Sequence, residues 1–214
     1  MSTTLQKTWI KICCMTRHED ASLAVRLGAD AIGLVFYPPS KRAVSPEQID
    51  DIVGDLHNQA LVVGLFVNPD KELVDSVIAS GKINCLQFHG SEPVSFCESF
   101  SMPYIKVFRV GESEDLVADI IRYASADYIL LDSFDSSEAG GTGQTFDWSA
   151  AAASVSNLDI KLVIAGGLSC TNLAEAIDVF KPFGVDVCSG VEARKGIKDR
   201  GKMREFIEGA KHGV

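Results

Sequence analysis

The chain has 214 residues, of which 46% are hydrophobic and 23% are charged, and it carries a formal net charge of −9 at pH 7. This composition is typical of a soluble globular protein with a large core. The acidic balance argues against a general nucleic-acid-binding protein, which would need a basic face. No segment approaches the ~20 consecutive apolar residues of a membrane-spanning helix, so no membrane partner is expected.

Six cysteines are scattered along the chain, and several of them lie inside apolar runs. Reduced thiols in a cytoplasmic protein explain this distribution better than a disulfide framework does. The N-terminal residues lack the apolar core of a signal peptide, which favours the same compartment. The sequence has no zinc-type spacing of Cys and His and no Walker-type loop, so no metal site is predicted.

Strand-like apolar runs alternate with periodic, helix-like segments along the whole chain. The predicted strands are residues 8–14, 31–36, 61–67, 85–89, 104–110, 127–133, 161–166 and 185–189. The predicted helices are residues 19–27, 46–56, 71–79, 112–123, 148–155, 172–180 and 200–211. This repeat predicts an α/β fold in which residues 1–214 form a single domain, a (β/α)8 TIM barrel with eight parallel strands. A doubly wound open sheet is the competing architecture.

Charged residues interrupt several of the predicted strands. The outer face of each barrel strand must be apolar to pack against helices, so Lys11, Lys106 and Asp186 are predicted to point into the barrel. Buried charges must be paired or hydrogen-bonded, and two lysines could pair with Asp132 and Asp186. We interpret Lys11, Lys106 and Asp186 as internal scaffold rather than as catalytic groups.

The segment YILLD at residues 128–132 carries the strongest site signal. An apolar run of this length usually lies in a sheet covered on both faces, yet it ends in the carboxylate of Asp132. A loop rich in Gly, Ser and acids follows at 133–143, long enough to reach over a ligand, and Asp147 is a candidate helix N-cap. This order is typical of active sites in parallel α/β proteins, although Asp132 alone could also be a turn cap.

Four reactive or charged side chains are predicted to meet at the carboxyl ends of the strands, where barrel active sites lie. They are Cys13, Arg42, His89 and Asp132. Each residue also has an ordinary structural explanation. The Cys13 thiol could simply be packed in the core, and the Arg42 guanidinium could be solvated. The His89 imidazole could be hydrogen-bonded at the rim, and Asp132 could cap a turn. Their coincidence at one end favours a functional site.

Two glycine-containing turns indicate a phosphate site. Gly166 and Gly167 follow the seventh predicted strand, and Ser189 and Gly190 follow the eighth. Glycine lets backbone N–H groups approach an oxyanion closely, and phosphate sites after strands seven and eight recur in barrels. A phosphorylated small molecule is therefore the expected ligand.

A series of motifs, in order along nearly the whole chain, resembles the phosphoribosylanthranilate isomerase family. The motifs are KICCMT at 11–16, GADAIG at 28–33, SKR at 40–42, LQFHG at 86–90 with Glu92, LD at 131–132, GGTG at 140–143, FDW at 146–148, AGGL at 165–168, GVDVCSGVE at 184–192 and GIKD at 196–199. The length of this ordered set makes the resemblance far more specific than any one motif.

The resemblance implies an enzyme of tryptophan biosynthesis that needs no cofactor. Such enzymes convert N-(5-phosphoribosyl)anthranilate to 1-(2-carboxyphenylamino)-1-deoxyribulose 5-phosphate by an Amadori rearrangement. Asp132 would be the general acid that opens the furanose ring, and Cys13 the general base that takes the C2 proton. Arg42 would face the anthranilate carboxylate, and His89 would line the site without an assigned step. The phosphate would bind to Gly166, Gly167, Ser189 and Gly190.

These roles carry physical requirements. A carboxyl group that donates a proton near neutral pH should be buried, with a raised pKa, so we expect Asp132 to be buried. A thiol acts as a base only as the thiolate, so Cys13 needs a nearby cation or a helpful dipole.

The chain departs from the usual family pattern at four places. Cys14 stands where glycine is usual, Phe88 where leucine is usual, Cys188 where serine is common and Lys195 where proline is common. We expect Phe88 to point outward, and the last two changes to bear on phosphate affinity.

Two other functions stay open at this level. A related aminoaldose isomerase of histidine synthesis is the first alternative, but those enzymes generally have an acid where this chain has Cys13. A catalytically silent barrel that binds a phosphosugar is the second. Oligomeric state and association with other enzymes cannot be read from the sequence.

Overall fold

The computed structural model describes residues 7–132 and 148–212. Its main feature is a closed barrel of eight parallel strands in chain order. The strands are β1 (Trp9–Ile12), β2 (Ala31–Val35), β3 (Leu61–Phe66), β4 (Cys85–Phe88), β5 (Tyr104–Arg109), β6 (Tyr128–Asp132), β7 (Leu162–Ala165) and β8 (Gly184–Val187). Strand β8 pairs with β1, with Asp186 opposite Lys11. The barrel prediction is confirmed, because an open sheet would leave these two strands unpaired.

Eight α-helices surround the barrel in the described residues. They are α1 (His18–Leu27), α2 (Ile49–Val53), α3 (Lys71–Ile78), α4 (Val94–Glu98), α5 (Leu116–Arg122), α6 (Trp148–Val155), α7 (Leu173–Phe180) and α8 (Arg200–His212). No helix in this part of the chain has the length and apolar character needed to cross a membrane.

Two local features were not predicted from the sequence. Helix α4 has only five residues, too few to show a helical period, but its Phe96 packs edge-on against Phe88. A small antiparallel hairpin, β9 (Glu192–Arg194) and β10 (Ile197–Lys198), follows β8. Phe88 points outward, as expected, because the helix layer covers it.

The barrel interior is built in layers. Trp9 stacks on Tyr128 with ring centroids 5.3 Å apart and, with Phe183, fills the end opposite the strands' carboxyl termini. A buried apolar cluster that includes Val63 and Leu130 follows. Lys11 and Asp186 lie among these inward-facing residues, and Lys11 Nζ is 2.8 Å from Asp186 Oδ2. Their predicted inward orientation is confirmed, and Lys11 pairs with one of the two aspartates considered as partners.

The inward orientation predicted for Lys106 is wrong. Its neighbours Ile105 and Val107 belong to the interior cluster, so Lys106 points outward, beneath the loop that follows β4. There its ammonium lies 2.8 Å from Glu92 and also donates to the Gly90 carbonyl. An outward lysine is tolerated because Glu92, rather than an interior aspartate, satisfies the buried charge.

Glu92 connects two loops at the carboxyl ends of the strands. Besides the ion pair with Lys106, its carboxylate accepts hydrogen bonds from the backbone N–H groups of Asn68 and Gly90. Both side chains of the ion pair are almost completely buried, at 3% and 2% exposure. The pair therefore holds the turns after β3 and β4 together.

We predict that Lys106→Met destabilises the protein by ~3–5 kcal/mol, because it leaves the Glu92 carboxylate buried without its cation. The free energy of unfolding in urea measures this loss. Lys71→Met is the matched control, since Lys71 and Asp75 are also 2.8 Å apart but are each 53% exposed. That change should cost less than ~1 kcal/mol. Equal losses for the two variants would contradict the role given to the buried pair.

Candidate active site

A cavity of about 220 Å³ lies at the mouth of the barrel formed by the carboxyl ends of the strands. It brings together seven of the eight site residues predicted from the sequence, namely Cys13, Arg42, His89, Asp132, Gly166, Gly167 and Ser189. The eighth, Gly190, is not among its lining residues. We call this space the mouth cavity.

Cys13 follows β1 and is buried at the base of the mouth cavity. A hydrogen bond from the Cys14 thiol, together with the positive charges of Lys11 and Lys198, holds the pKa of the Cys13 thiol well below its usual value, although burial opposes this. The pKa of the Cys14 thiol is raised correspondingly. The cation that a thiolate base requires is therefore present.

Cys14 has a left-handed backbone, with φ of +64°. This conformation costs a residue with a Cβ roughly 1–2 kcal/mol, whereas glycine adopts it freely. The usual glycine after the family's cysteine thus has a physical reason, and this chain places a second thiol there at the cost of backbone strain. Cys13, Cys14 and Cys188 lie in one cluster at the cavity wall.

Asp132 ends β6 and faces the mouth cavity. One carboxylate oxygen, Oδ2, is 3.2 Å from Nε2 of His89, which follows β4. The Asp132 side chain is 25% exposed and that of His89 is 18% exposed. Asp132 is therefore half-buried rather than buried as expected, because it stands at the open rim. The glycine loop at 133–143 and the candidate cap Asp147 lie outside the described residues.

Arg42 reaches the mouth cavity from the loop after β2, but its guanidinium is held by a carboxylate. Its Nε and Nη2 atoms each donate a hydrogen bond to a carboxylate oxygen of Glu192, both with a donor–acceptor distance of 2.7 Å. Glu192 also accepts from the backbone N–H of Gly196 in the β9–β10 hairpin. This partner is not predictable from the sequence, since 150 residues separate Arg42 from Glu192 and no local pattern links them.

The glycines in the turns after β7 and β8 have different roles. Gly166 and Gly167 have φ of +81° and +64°, left-handed values that suit glycine, and both line the mouth cavity. Ser189 lines it from the adjoining turn. A Cβ on Gly190 would lie 1.9 Å from the Leu168 carbonyl oxygen, so Gly190 allows the two turns to pack together. Its contribution is close packing of the site wall.

Two buried polar atoms of the mouth cavity have no hydrogen-bond partner among the described residues. They are Oε1 of Gln87 and Oδ1 of Asp186. Neither residue was assigned to the site from the sequence, although Gln87 lies two residues before His89 and Asp186 two residues before Cys188, which also line the cavity. Such orphan acceptors are uncommon in proteins and call for an explanation.

Comparison with known proteins identifies the family. Residues 10–209 match the family model described as N-(5'-phosphoribosyl)anthranilate (PRA) isomerase. The chain belongs to this family. N-(5'-phosphoribosyl)anthranilate isomerase of Nitrosospira multiformis is 45% identical over 94% of this chain and 95% of its own length. The isomerase of Cellvibrio japonicus is 47% identical over 92% of this chain and 91% of its own length.

Solved structures of phosphoribosylanthranilate isomerases have the same architecture. The enzyme from Thermotoga maritima superimposes with a TM-score of 0.85 at 40% identity, covering 96% of this chain and 99% of its own. A second structure superimposes with a TM-score of 0.82 at 39% identity, covering 96% of this chain and 99% of its own. It is a phosphoribosylanthranilate isomerase in complex with reduced 1-(o-carboxyphenylamino)-1-deoxyribulose 5-phosphate. The family resemblance inferred from the motifs is confirmed, and with it an isomerase fold and activity.

Backbone strain at position 14 gives a test of the site's geometry. We predict that Cys14→Gly is more stable than Cys14→Ala by about 1 kcal/mol, because only glycine relieves the left-handed strain. Cys97 in α4 is the control, since glycine should there be less stable than alanine by ~0.5–1 kcal/mol. Urea unfolding of the four variants measures both differences. The same order at both positions would contradict the strain at Cys14.

Proposed function

We propose that this chain catalyses the Amadori rearrangement of N-(5-phosphoribosyl)anthranilate by general acid–base catalysis, with Asp132 as the acid and Cys13 as the base. The observation that carries the assignment is that a thiol with a lowered pKa and a strand-ending carboxyl group line the same cavity. Membership of the isomerase family supplies the reaction.

Asp132 protonates the ring oxygen of the furanose, and the C1–O bond breaks to give an open-chain Schiff base. The Cys13 thiolate then removes the proton from C2, and the electrons form the enolamine. Tautomerisation of the enolamine gives the ketone. The imine is internal to the substrate, so the reaction needs neither a metal nor an organic cofactor.

His89 has a supporting part in this scheme. Its Nε2 atom is 3.2 Å from Asp132 Oδ2, close enough to fix the direction in which the carboxyl group points. General acid catalysis requires the donor to lie within hydrogen-bond reach of the leaving oxygen. We therefore assign His89 to the orientation of Asp132 rather than to a proton transfer from the substrate.

The two ends of the substrate bind on different walls of the mouth cavity. The phosphate lies against the turns of Gly166, Gly167 and Ser189, where glycine admits an oxyanion close to the backbone, with Gly190 packing behind. Arg42 binds the anthranilate carboxylate through its remaining guanidinium edge, and Glu192 fixes the plane of the guanidinium. A half-buried, preorganised arginine suits carboxylate recognition.

The protein acts in the cytoplasm under this proposal. All six cysteines are free thiols, three of them in one cluster beside the reacting centre. A reducing compartment keeps such a cluster unoxidised. The partner is the small phosphosugar substrate, and neither nucleic acid nor a membrane enters the scheme.

We predict that Cys13→Ala and Asp132→Asn each lower turnover by at least ~10²–10⁴-fold, the usual contribution of one proton transfer. The assay generates phosphoribosylanthranilate in situ and follows the loss of anthranilate-type fluorescence, with circular dichroism as the check on folding. Cys170→Ala is the control, because Cys170 does not line the mouth cavity and its variant should keep full turnover.

Turnover like that of the unmodified protein in either catalytic variant would refute the assigned roles. Binding of a product analogue without any conversion by the unmodified protein would instead indicate a silent phosphosugar-binding barrel. The histidine-pathway aminoaldose, assayed in parallel, tests the second isomerase activity.

Arg42 gives a prediction about substrate specificity. We expect Arg42→Met to lower kcat/KM for phosphoribosylanthranilate by ~10–100-fold, because a charge-assisted bond to the carboxylate contributes roughly 1.5–3 kcal/mol. The same variant should change kcat/KM very little for the phosphoribosyl derivative of aniline, which has no carboxylate. Equal losses for the two substrates would show that Arg42 only supports the cavity wall.

A further inference from the structure

Lys11 and Asp186 form a buried ion pair inside the barrel, next to the proposed base. They lie opposite each other on β1 and β8, and their charged atoms are 2.8 Å apart. The Lys11 side chain is completely buried and that of Asp186 is 8% exposed. Apolar side chains of similar size would fill this space without the cost of removing two charges from water. Structural support alone is therefore a weak reason for burying the ion pair.

Cys13 lies two residues beyond Lys11 on the same strand face. Both side chains pack against the bare backbone of Gly33 on β2. A Cβ at Gly33 would be 2.8 Å from Cys13 Sγ and 3.3 Å from the Cε atom of Lys11. The absence of a side chain at Gly33 therefore lets the lysine arm and the sulfur share one small space.

Asp186 carries an oxygen that the ion pair does not use. Its Oδ1 atom is buried, has no hydrogen-bond partner among the described residues, and belongs to a residue that lines the mouth cavity. Burial raises the pKa of Asp186 to about 7 against the opposing effect of Lys11. A proton on Oδ1 relieves the cost of an unpaired buried carboxylate oxygen.

Several charged or titratable groups face Cys13 and Asp186 from the neighbouring elements. They are Lys11 from β1, Cys14 from the turn after β1, Asp132 from β6, and Lys198 from β10. Of these, Lys11 is the cation bonded directly to Asp186. Asp186 and Cys13 raise its pKa above the usual value despite burial, so it stays an ammonium ion.

We propose that Lys11 and Asp186 set the protonation state of Cys13, with Lys11 stabilising the thiolate and Asp186 holding the proton that the thiol gives up. The ammonium ion of Lys11 stabilises one anion, so Asp186 is neutral when Cys13 is a thiolate. Both are positioning residues that act through Cys13. This inference rests on the proposed function only in naming Cys13 as the base.

The proton transfer conserves charge and electrons. The S–H bond of Cys13 breaks and an O–H bond forms at Asp186 Oδ1, directly or through solvent, while Lys11 keeps its own protons. The cluster thus keeps the same net charge before and after the transfer. The sulfur is then free to accept the C2 proton of the substrate.

Two variants should move the Cys13 titration in opposite directions. Asp186→Asn removes the competing anion and leaves the ammonium, so the Cys13 pKa should fall by about one unit or more. Lys11→Met with Asp186→Asn removes the cation without leaving a buried unpaired carboxylate, so the Cys13 pKa should rise by a similar amount. The measurement is the ultraviolet absorbance of the thiolate against pH, taken as the difference from the same protein with Cys13→Ala.

A second buried ion pair, that of Lys106 with Glu92, provides the matched control. Lys106→Met with Glu92→Gln also removes a lysine–carboxylate pair at 2.8 Å, but on the outer face of the sheet. That double variant should leave the Cys13 titration unchanged. A general loosening of the fold would instead shift the Cys13 pKa in the same direction in all the variants, the control included.

The pH dependence of kcat/KM gives the second readout. Catalysis needs the thiolate, so the rate falls as pH drops through the Cys13 pKa. Asp186→Asn should move this acidic limb to lower pH, and the Lys11/Asp186 double variant should move it to higher pH. At a pH below the limb the rate changes roughly tenfold for each unit of movement.

The titration needs no substrate, so its result is independent of the reaction assigned above. An unchanged Cys13 pKa in the double variant would overturn the proposal and leave Lys198 and Cys14 as the groups that set it. A Cys13 pKa that rises in Asp186→Asn would also overturn it, because Asp186 would then not compete for the proton. If the double variant does not fold, the single Asp186→Asn variant decides.

Discussion

Closure of a parallel barrel is the constraint on which the site depends. With every barrel strand running in the same direction, the carboxyl ends of β1, β4, β6, β7 and β8 all lie at the same mouth. Groups more than a hundred residues apart, such as Cys13 and Asp132, therefore line one small cavity. The interior apolar layers and the aromatic cluster at the other end hold the strands in register, so the distances across the mouth are fixed by packing rather than by the loops.

Two of the buried lysine–carboxylate pairs, Lys106–Glu92 and Lys11–Asp186, show how differently one kind of bond can be used. Lys106 and Glu92 lie outside the sheet, where Glu92 also gathers backbone N–H groups from two turns, and every oxygen of the pair has a partner. Lys11 and Asp186 lie inside the barrel, where the Oδ1 atom of Asp186 has no hydrogen-bond partner within residues 7–132 and 148–212. A fully satisfied pair fixes a structure, whereas an incompletely satisfied one beside a thiol is able to exchange a proton.

Two of the four departures from the usual family pattern, Cys14 and Cys188, lie beside the reacting thiol. Cys14 occupies a left-handed position that favours glycine, and its thiol donates to Cys13 while packing near Cys188. The same substitution thus strains the backbone and favours the thiolate. Strained residues are retained where the surrounding structure fixes them, and they are commonly found at functional sites.

The sequence by itself determined the fold class, the family and seven of the residues that line the mouth cavity, because strand periodicity, turn glycines and ordered motifs are local signals. It did not determine which charges meet. Lys106 points outward although its strand pattern resembles that of Lys11, and its partner is Glu92 from a loop. Likewise Glu192 holds Arg42, and Gly190 packs on Leu168 instead of lining the cavity. Such pairings depend on how strands are staggered and loops are packed, and only the closed tertiary structure fixes those distances.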